Sequence, residues 1–174
     1  MGRYLPNHGD RDDRDPTQIA QGRTHHPMSI EQNKATARRW FQDIITQGRM
    51  SVADEIFAVN HVVHDPHSPP GGWPNGPESL KTIAGPFHSA FPDLNVTIDD
   101  QIAEGDKVVT RWTAVGTNAA PLQGMPATGK KVRVTGANVA RFAEGKIAES
   151  WFNFDMLTLL RQLGVIPTPE QARG

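Results

Sequence analysis

Few residues in this chain have chemistry to offer, and most lie between positions 61 and 91. Asp65 precedes Pro66 at the end of the apolar run Val62-Val63-His64, where the proline must end a strand. A carboxylate held at the rim of an apolar cup is suited to take a proton from a carbon next to a carbonyl. The competing reading is that Asp65 only caps the turn before Pro66. His64 adjoins it, and successive strand residues point to opposite faces, so at most one of the two faces inward unless a bulge intervenes. His88 stands beside Phe87 and Phe91 in a helical pattern, as an assisting base or as a packed helix histidine. His61, His64, His67 and His88 raise the question of a metal. No Asp or Glu falls at a recognised zinc spacing to them and the loop around His67 is irregular, so no metal is expected. Cysteine is absent, which removes thiolate nucleophiles, Cys-ligated zinc and disulfides together.

The elements that must position these groups follow from periodicity. Ser29-Ile-Glu-Gln32 is a capping box, and Ala37, Trp40, Phe41, Ile44 and Ile45 recur at helical spacing behind it, predicting one long helix to about Gly48. A short helix from Ser51 buries Val52, Ile56 and Phe57, and the strand ending at Asp65 follows. Residues 67–76 are too rich in proline and glycine for regular structure, and Trp73 among them must cover either core or ligand. Pro77 to Phe91 reads as a third helix opened by Asn75, with Gly85-Pro86 predicted to kink or split it. From Leu94 the period changes to two. Strands are predicted around Val96 to Ile102, Val108 to Val115, Val132 to Phe142 and Ile147 to Phe154, separated by a turn at Glu104-Gly105-Asp106, a loop from Thr117 to Gly129, and a turn at residues 143–146. Asp155 ends that last strand but stands as the N-cap of the apolar run Met156, Leu157, Leu159, Leu160, Leu163, so capping explains it. Helices followed by antiparallel strands imply an α+β fold in which a curved sheet wraps about three N-terminal helices and a short C-terminal helix closes the chain.

Composition bounds the function. A chain of 174 residues makes one domain that buries about 70% of its unfolded surface. The expected division is a flexible N-terminal extension at 1–28, a domain at 29–166 and a tail at 167–174. Met28 could serve as an alternative start, and the His25-His26 pair is expected to be solvated tail. With 18 basic and 19 acidic side chains no global field draws the protein to nucleic acid or to a membrane surface. No apolar run approaches the roughly 20 residues of a membrane span, and a cytoplasmic location is the default.

Several stretches taken in order resemble the SnoaL-like polyketide cyclases, or ester cyclases, of the nuclear-transport-factor-2-like and ketosteroid-isomerase-like cone fold. They are His64-Asp65-Pro66, Phe91-Pro92-Asp93-Leu94, Glu104 to Val108, Arg111-Trp112 with Gly116-Thr117, Gly124 to Lys130, Arg141-Phe142 with Gly145-Lys146-Ile147, and Glu149 with Trp151. The resemblance covers about residues 29–166. It implies a cone-shaped antiparallel sheet enclosing a pocket for a hydrophobic, carbonyl-rich small molecule, a homodimer, and no cofactor. Arg111 and Arg141 would lie outside the cone. The fold hosts isomerases, cyclases, hydrolases and binding domains, so it does not name a reaction.

The family closes rings by intramolecular aldol chemistry, with a His-Trp-Asp triplet on the last strand whose aspartate is the acid/base. Here the triplet is Ser150-Trp151-Phe152, and Asn138 stands where the family carries a histidine. Ketosteroid isomerases carry their basic aspartate in an Asp-Pro pair that resembles Asp65-Pro66. The resemblance therefore implies proton transfer with Asp65 as base, His64 or His88 assisting, and Asn138 bonding the developing oxyanion. Trp40, Phe57, Trp73, Phe87, Phe91, Trp112, Ser150, Phe152 and Phe154 would line the substrate site. The alternatives are a binding or accessory protein that has lost the catalytic carboxylate, and a hydrolase using a positioned water.

Overall fold

Ser29 opens the first helix of the described residues by a reciprocal cap: its hydroxyl accepts from the Gln32 N–H, and its own N–H donates to the Gln32 side chain at 2.8 Å. The computed structural model describes residues 29–167; the extension at 1–28, with His25, His26 and Met28, and residues 168–174 lie outside the described residues. Helix α1 (Ile30–Arg39) continues as a π-helical segment, Trp40–Thr46, where one uniform helix was expected. Trp40, Phe41 and Ile44 are buried there, and the rings of Trp40 and Phe41 stack with centroids 5.3 Å apart. Helix α2 (Val52–Ile56) is short. Phe57, expected as its last buried residue, instead takes an extended backbone and begins strand β1 (Phe57–His64).

Helix α3 (Pro77–Ala90) runs unbroken through Gly85-Pro86, so the pair does not split it. Pro86 and the residue four before it, Thr82, both lie on an exposed face, where water can take the carbonyl that proline leaves unpaired. The residue before this helix is Gly76 rather than the predicted Asn75 opening. Its φ is +76°, its N–H donates to the His61 carbonyl at 2.8 Å, and a Cβ there would stand 2.4 Å from the Val59 carbonyl oxygen. Only glycine fits, and the contact pins the start of α3 to β1.

The remaining strands are β2 (Asn95–Glu104), β3 (Lys107–Thr117), β4 (Lys131–Ala143) and β5 (Lys146–Phe154), and helix α4 is Met156–Leu163. The sheet order is β1-β5-β4-β3-β2, with β2 to β5 an antiparallel meander and β1 joined parallel to β5. Val108, Thr110 and Trp112 on β3, Val134, Asn138 and Ala140 on β4, and Ile147 and Ser150 on β5 share the buried, concave side. The helices pack into that concavity, giving the α+β cone. Gly136 lets Trp112 lie flat against β4, since a Cβ there would meet the indole at 2.3 Å. On the convex side Arg111 pairs with Asp99 and Arg141 with Glu149. At the open end Asp155 accepts from the N–H and hydroxyl of Thr158, capping α4 as its sequence position requires. No helix among the described residues is long and apolar enough to cross a membrane.

Candidate functional site

The helices do not fill the cone. Between α3, the π-helical segment and the concave face of the sheet lies a chamber of about 90 Å³, walled by Phe41, Ile83, Phe87, Phe91, Trp112, Phe152, Phe154 and smaller apolar residues. Every side chain on that wall is apolar or aromatic, and none titrates. A second space of about 260 Å³ opens in front of it, lined by Asp65, His67, Trp73, Thr82, Pro86, Gln123 and Met156. Ile83, Phe87, Phe152 and Phe154 line both, so the two are an inner chamber and an antechamber of one site. Trp73, expected to cover core or ligand, forms part of the antechamber wall.

The titratable groups among the described lining residues sit at the antechamber. One carboxylate oxygen of Asp65, whose side chain is 5% exposed, accepts the His67 backbone N–H at 2.8 Å and stands 3.0 Å from His67 Nδ1. The Asp65 carbonyl accepts both the N–H and the hydroxyl of Ser68, at 3.0 and 2.7 Å. Asp65 thus caps the turn and at the same time lines the cavity. An ionised carboxylate can only accept, so Nδ1 carries the proton of the neutral ring and Nε2 keeps its lone pair. The imidazole lies against Phe154, centroids 5.1 Å apart. In the sequence His67 stands out only as a candidate metal ligand. The signal available was the Asp-x-His spacing, because an aspartate that accepts the N–H two residues on also holds that residue's side chain nearby.

The other candidates are scattered. His64 points to the convex face, where Nε2 bonds Glu149 at 2.8 Å and the ring stacks on Trp151; strand alternation carries it away from the cavity, so it cannot assist there. The shared bonds with Arg141 and His64 hold the Glu149 carboxyl below its ordinary range. His88 packs against the backbone of Gly48, so closely that a Cβ there would stand 2.9 Å from its ring. It lines neither space. Asn138 is buried on the concave side with Thr110 and Phe152 as register neighbours, and neither amide atom has a partner. It too lines neither space.

Of the expected lining residues, Phe87, Phe91, Trp112, Phe152 and Phe154 wall the inner chamber and Trp73 the antechamber. Trp40 and Phe57 lie one layer behind, edge to face at 5.2 Å. Ser150 is fully buried and bonds His61 Nε2 at 2.9 Å, while His61 Nδ1 lies 3.3 Å from Ser79 Oγ. Ser79 spends its own proton on the Gly76 carbonyl, so Nδ1 donates to Ser79 and Nε2 accepts from Ser150. Burial pushes the His61 pKa down to about 4, keeping the ring neutral. No group of three or more His, Cys, Asp or Glu among the described residues could hold a metal ion.

This architecture recurs in solved structures. TsrD from Streptomyces laurentii is 25% identical, with a TM-score of 0.72 over 80% of this chain and 100% of that one. IdmH from Streptomyces antibioticus, described as a candidate polyketide cyclase, is 31% identical, with a TM-score of 0.66 over 76% of this chain and 99% of that one. A candidate polyketide cyclase from Acidithiobacillus ferrooxidans is 29% identical, with a TM-score of 0.68 over 80% of this chain and 100% of its own. No curated protein matches the sequence. The family model of the SnoaL-like polyketide cyclases matches residues 35–163, and the chain belongs to that family.

Proposed function

We propose that the protein is a cofactor-independent enzyme of the cyclase or isomerase type. It takes a flat, hydrophobic, carbonyl-bearing molecule of polyketide-like character and moves a proton by acid/base chemistry at the Asp65 end of its cavity. The observation that carries this reading is the division of the site. The inner chamber suits the apolar body of a ring system, while the titratable side chains among the described lining residues, Asp65 and His67, stand together at the antechamber. The inner chamber alone is smaller than the roughly 300–1,000 Å³ of ordinary ligand sites, so a substrate must extend into the antechamber and meet that pair.

A direct test is exchange of the α-hydrogens of 2-tetralone, a bicyclic ketone, in D2O. The wild type is expected to accelerate exchange, and Asp65→Asn to lower it by 10-fold or more. Melting temperature should change little, because the amide oxygen can still accept the His67 N–H. Wild-type exchange no faster than buffer, with 2-tetralone raising the melting temperature, would replace this reading with that of a binding or accessory protein. Phe152 favours that second reading: its ring stacks on Trp112 at 5.6 Å, and the motif resemblance puts it where the family carries its carboxylate. Hydrolysis by a positioned water is less well supported, since among the described residues Asp65 is the one carboxylate lining the two spaces.

The same proposal has the protein working in the cytoplasm as a homodimer. Ile102, Val109, Val139 and Trp151 form a continuous row of register partners on the convex face, with Ile102 64% exposed. Sedimentation equilibrium should give twice the chain mass, and Val109→Glu should give the monomer.

A further inference from the structure

We propose that the atom that accepts and returns the proton is Nε2 of His67, and that Asp65 acts through this ring as a positioning residue. The inference rests on reading the site as a proton-transfer centre and names the group that performs it. Asp65 is the less suitable base of the two by geometry. Its side chain is 5% exposed, and one of its oxygens already serves the N–H and Nδ1 of His67. His67 is 35% exposed at its side chain, lines the antechamber, and has no partner for Nε2 among the described residues.

The segment that holds the pair is pre-set. Pro66 fixes one backbone torsion between them, the Asp65 carboxylate accepts the His67 N–H, and the Asp65 carbonyl accepts twice from Ser68. Phe154 supports the ring and also belongs to the inner wall. A ring body seated against Phe152 and Phe154 would therefore bring its substituents to the antechamber beside the imidazole.

The step is balanced without a co-reactant. The C–H bond next to a carbonyl breaks, its electron pair passes to the carbonyl oxygen as an enolate, and the proton goes to Nε2. The imidazolium then returns that proton to another carbon of the same molecule, or to the alkoxide formed when the enolate attacks a second carbonyl. Asp65 holds the ring in the Nδ1–H tautomer and offsets the charge while the imidazolium exists.

Two readouts test this on the full-length protein. The ¹⁵N shifts and long-range couplings of labelled histidine should show His67 as the Nδ1–H tautomer in the wild type and a mixture of tautomers in Asp65→Asn. Exchange of 2-tetralone should fall about 100-fold in His67→Ala and be restored in part by added imidazole, which should do nothing for Asp65→Asn. An Nε2–H tautomer in the wild type overturns the inference. So does wild-type exchange in His67→Ala together with loss in Asp65→Asn, which would make Asp65 the base and leave the proposed function standing. Absence of wild-type exchange overturns both.

Discussion

Replacing Phe152 by alanine is expected to lower the free energy of unfolding by about 3 kcal/mol and to deepen the inner chamber. The ring is central to the aromatic stack, with centroids 5.6 Å from Trp112, 5.8 Å from Phe154 and 6.1 Å from Trp40. Phe→Ala changes in cores cost roughly 3–5 kcal/mol, and the low end applies because one side of Phe152 already borders empty space. Gly136 and Trp112 cannot close the gap, since the indole already lies flush on the β4 backbone. The space gained would face Asn138, the register partner of Phe152, whose amide has no partner in the folded chain. Urea unfolding reports the stability loss. Naphthalene should raise the melting temperature of the variant more than that of the wild type, because a dry apolar void takes an apolar guest. A variant as stable as the wild type, with no gain in guest stabilisation, would show that Phe152 does not wall off the cone.

Much of the scaffold was legible because its signals are local. The box at Ser29 and Gln32, the change of period at Leu94 and the cap at Asp155 each involve residues within a few positions of one another, and the structure has them where the sequence puts them. The departures come from tertiary packing. Nothing in the spacing of Trp40, Phe41 and Ile44 distinguishes a π-helical turn from an α turn. Phe57 is buried equally well at the end of a helix or the start of a strand, and its pairing with Ile147 decides for the strand. The candidate site divides in the same way. Alternation already allowed only one of His64 and Asp65 to face inward, and Asp65 does. The Asp65–His67 contact spans two residues and was readable as an aspartate turn. By contrast, Ser150 meets His61 across 89 positions of sequence, and no local pattern joins them.

That contact leads to the second large effect, a loss of stability on acidification that belongs to one buried ring. His61 is 0% exposed, holds Ser150 and Ser79 through its two nitrogens, and has its pKa lowered by burial from the ordinary 6.5 to about 4. Between those values the unfolded chain binds a proton that the folded chain refuses, so stability falls as pH falls. The contribution is complete above pH 6.5, is lost progressively between 6.5 and 4, and levels off below 4. Its size follows from the two values and is about 3 kcal/mol. His61→Gln removes the titration and can keep one hydrogen bond. It should be less stable than the wild type at pH 7.5, and the gap between the two should shrink by about 3 kcal/mol as pH approaches 4. Urea titrations of both proteins at pH 7.5, 5.5 and 4 measure this difference, and carboxylates common to both cancel in it. Parallel curves would mean that His61 titrates normally, which requires water to reach it. The belt Ser150–His61–Ser79 would then be an opening at the back of the cone rather than the sealed joint between β1, β5 and α3 that holds Asp65 and His67 in line with the chamber.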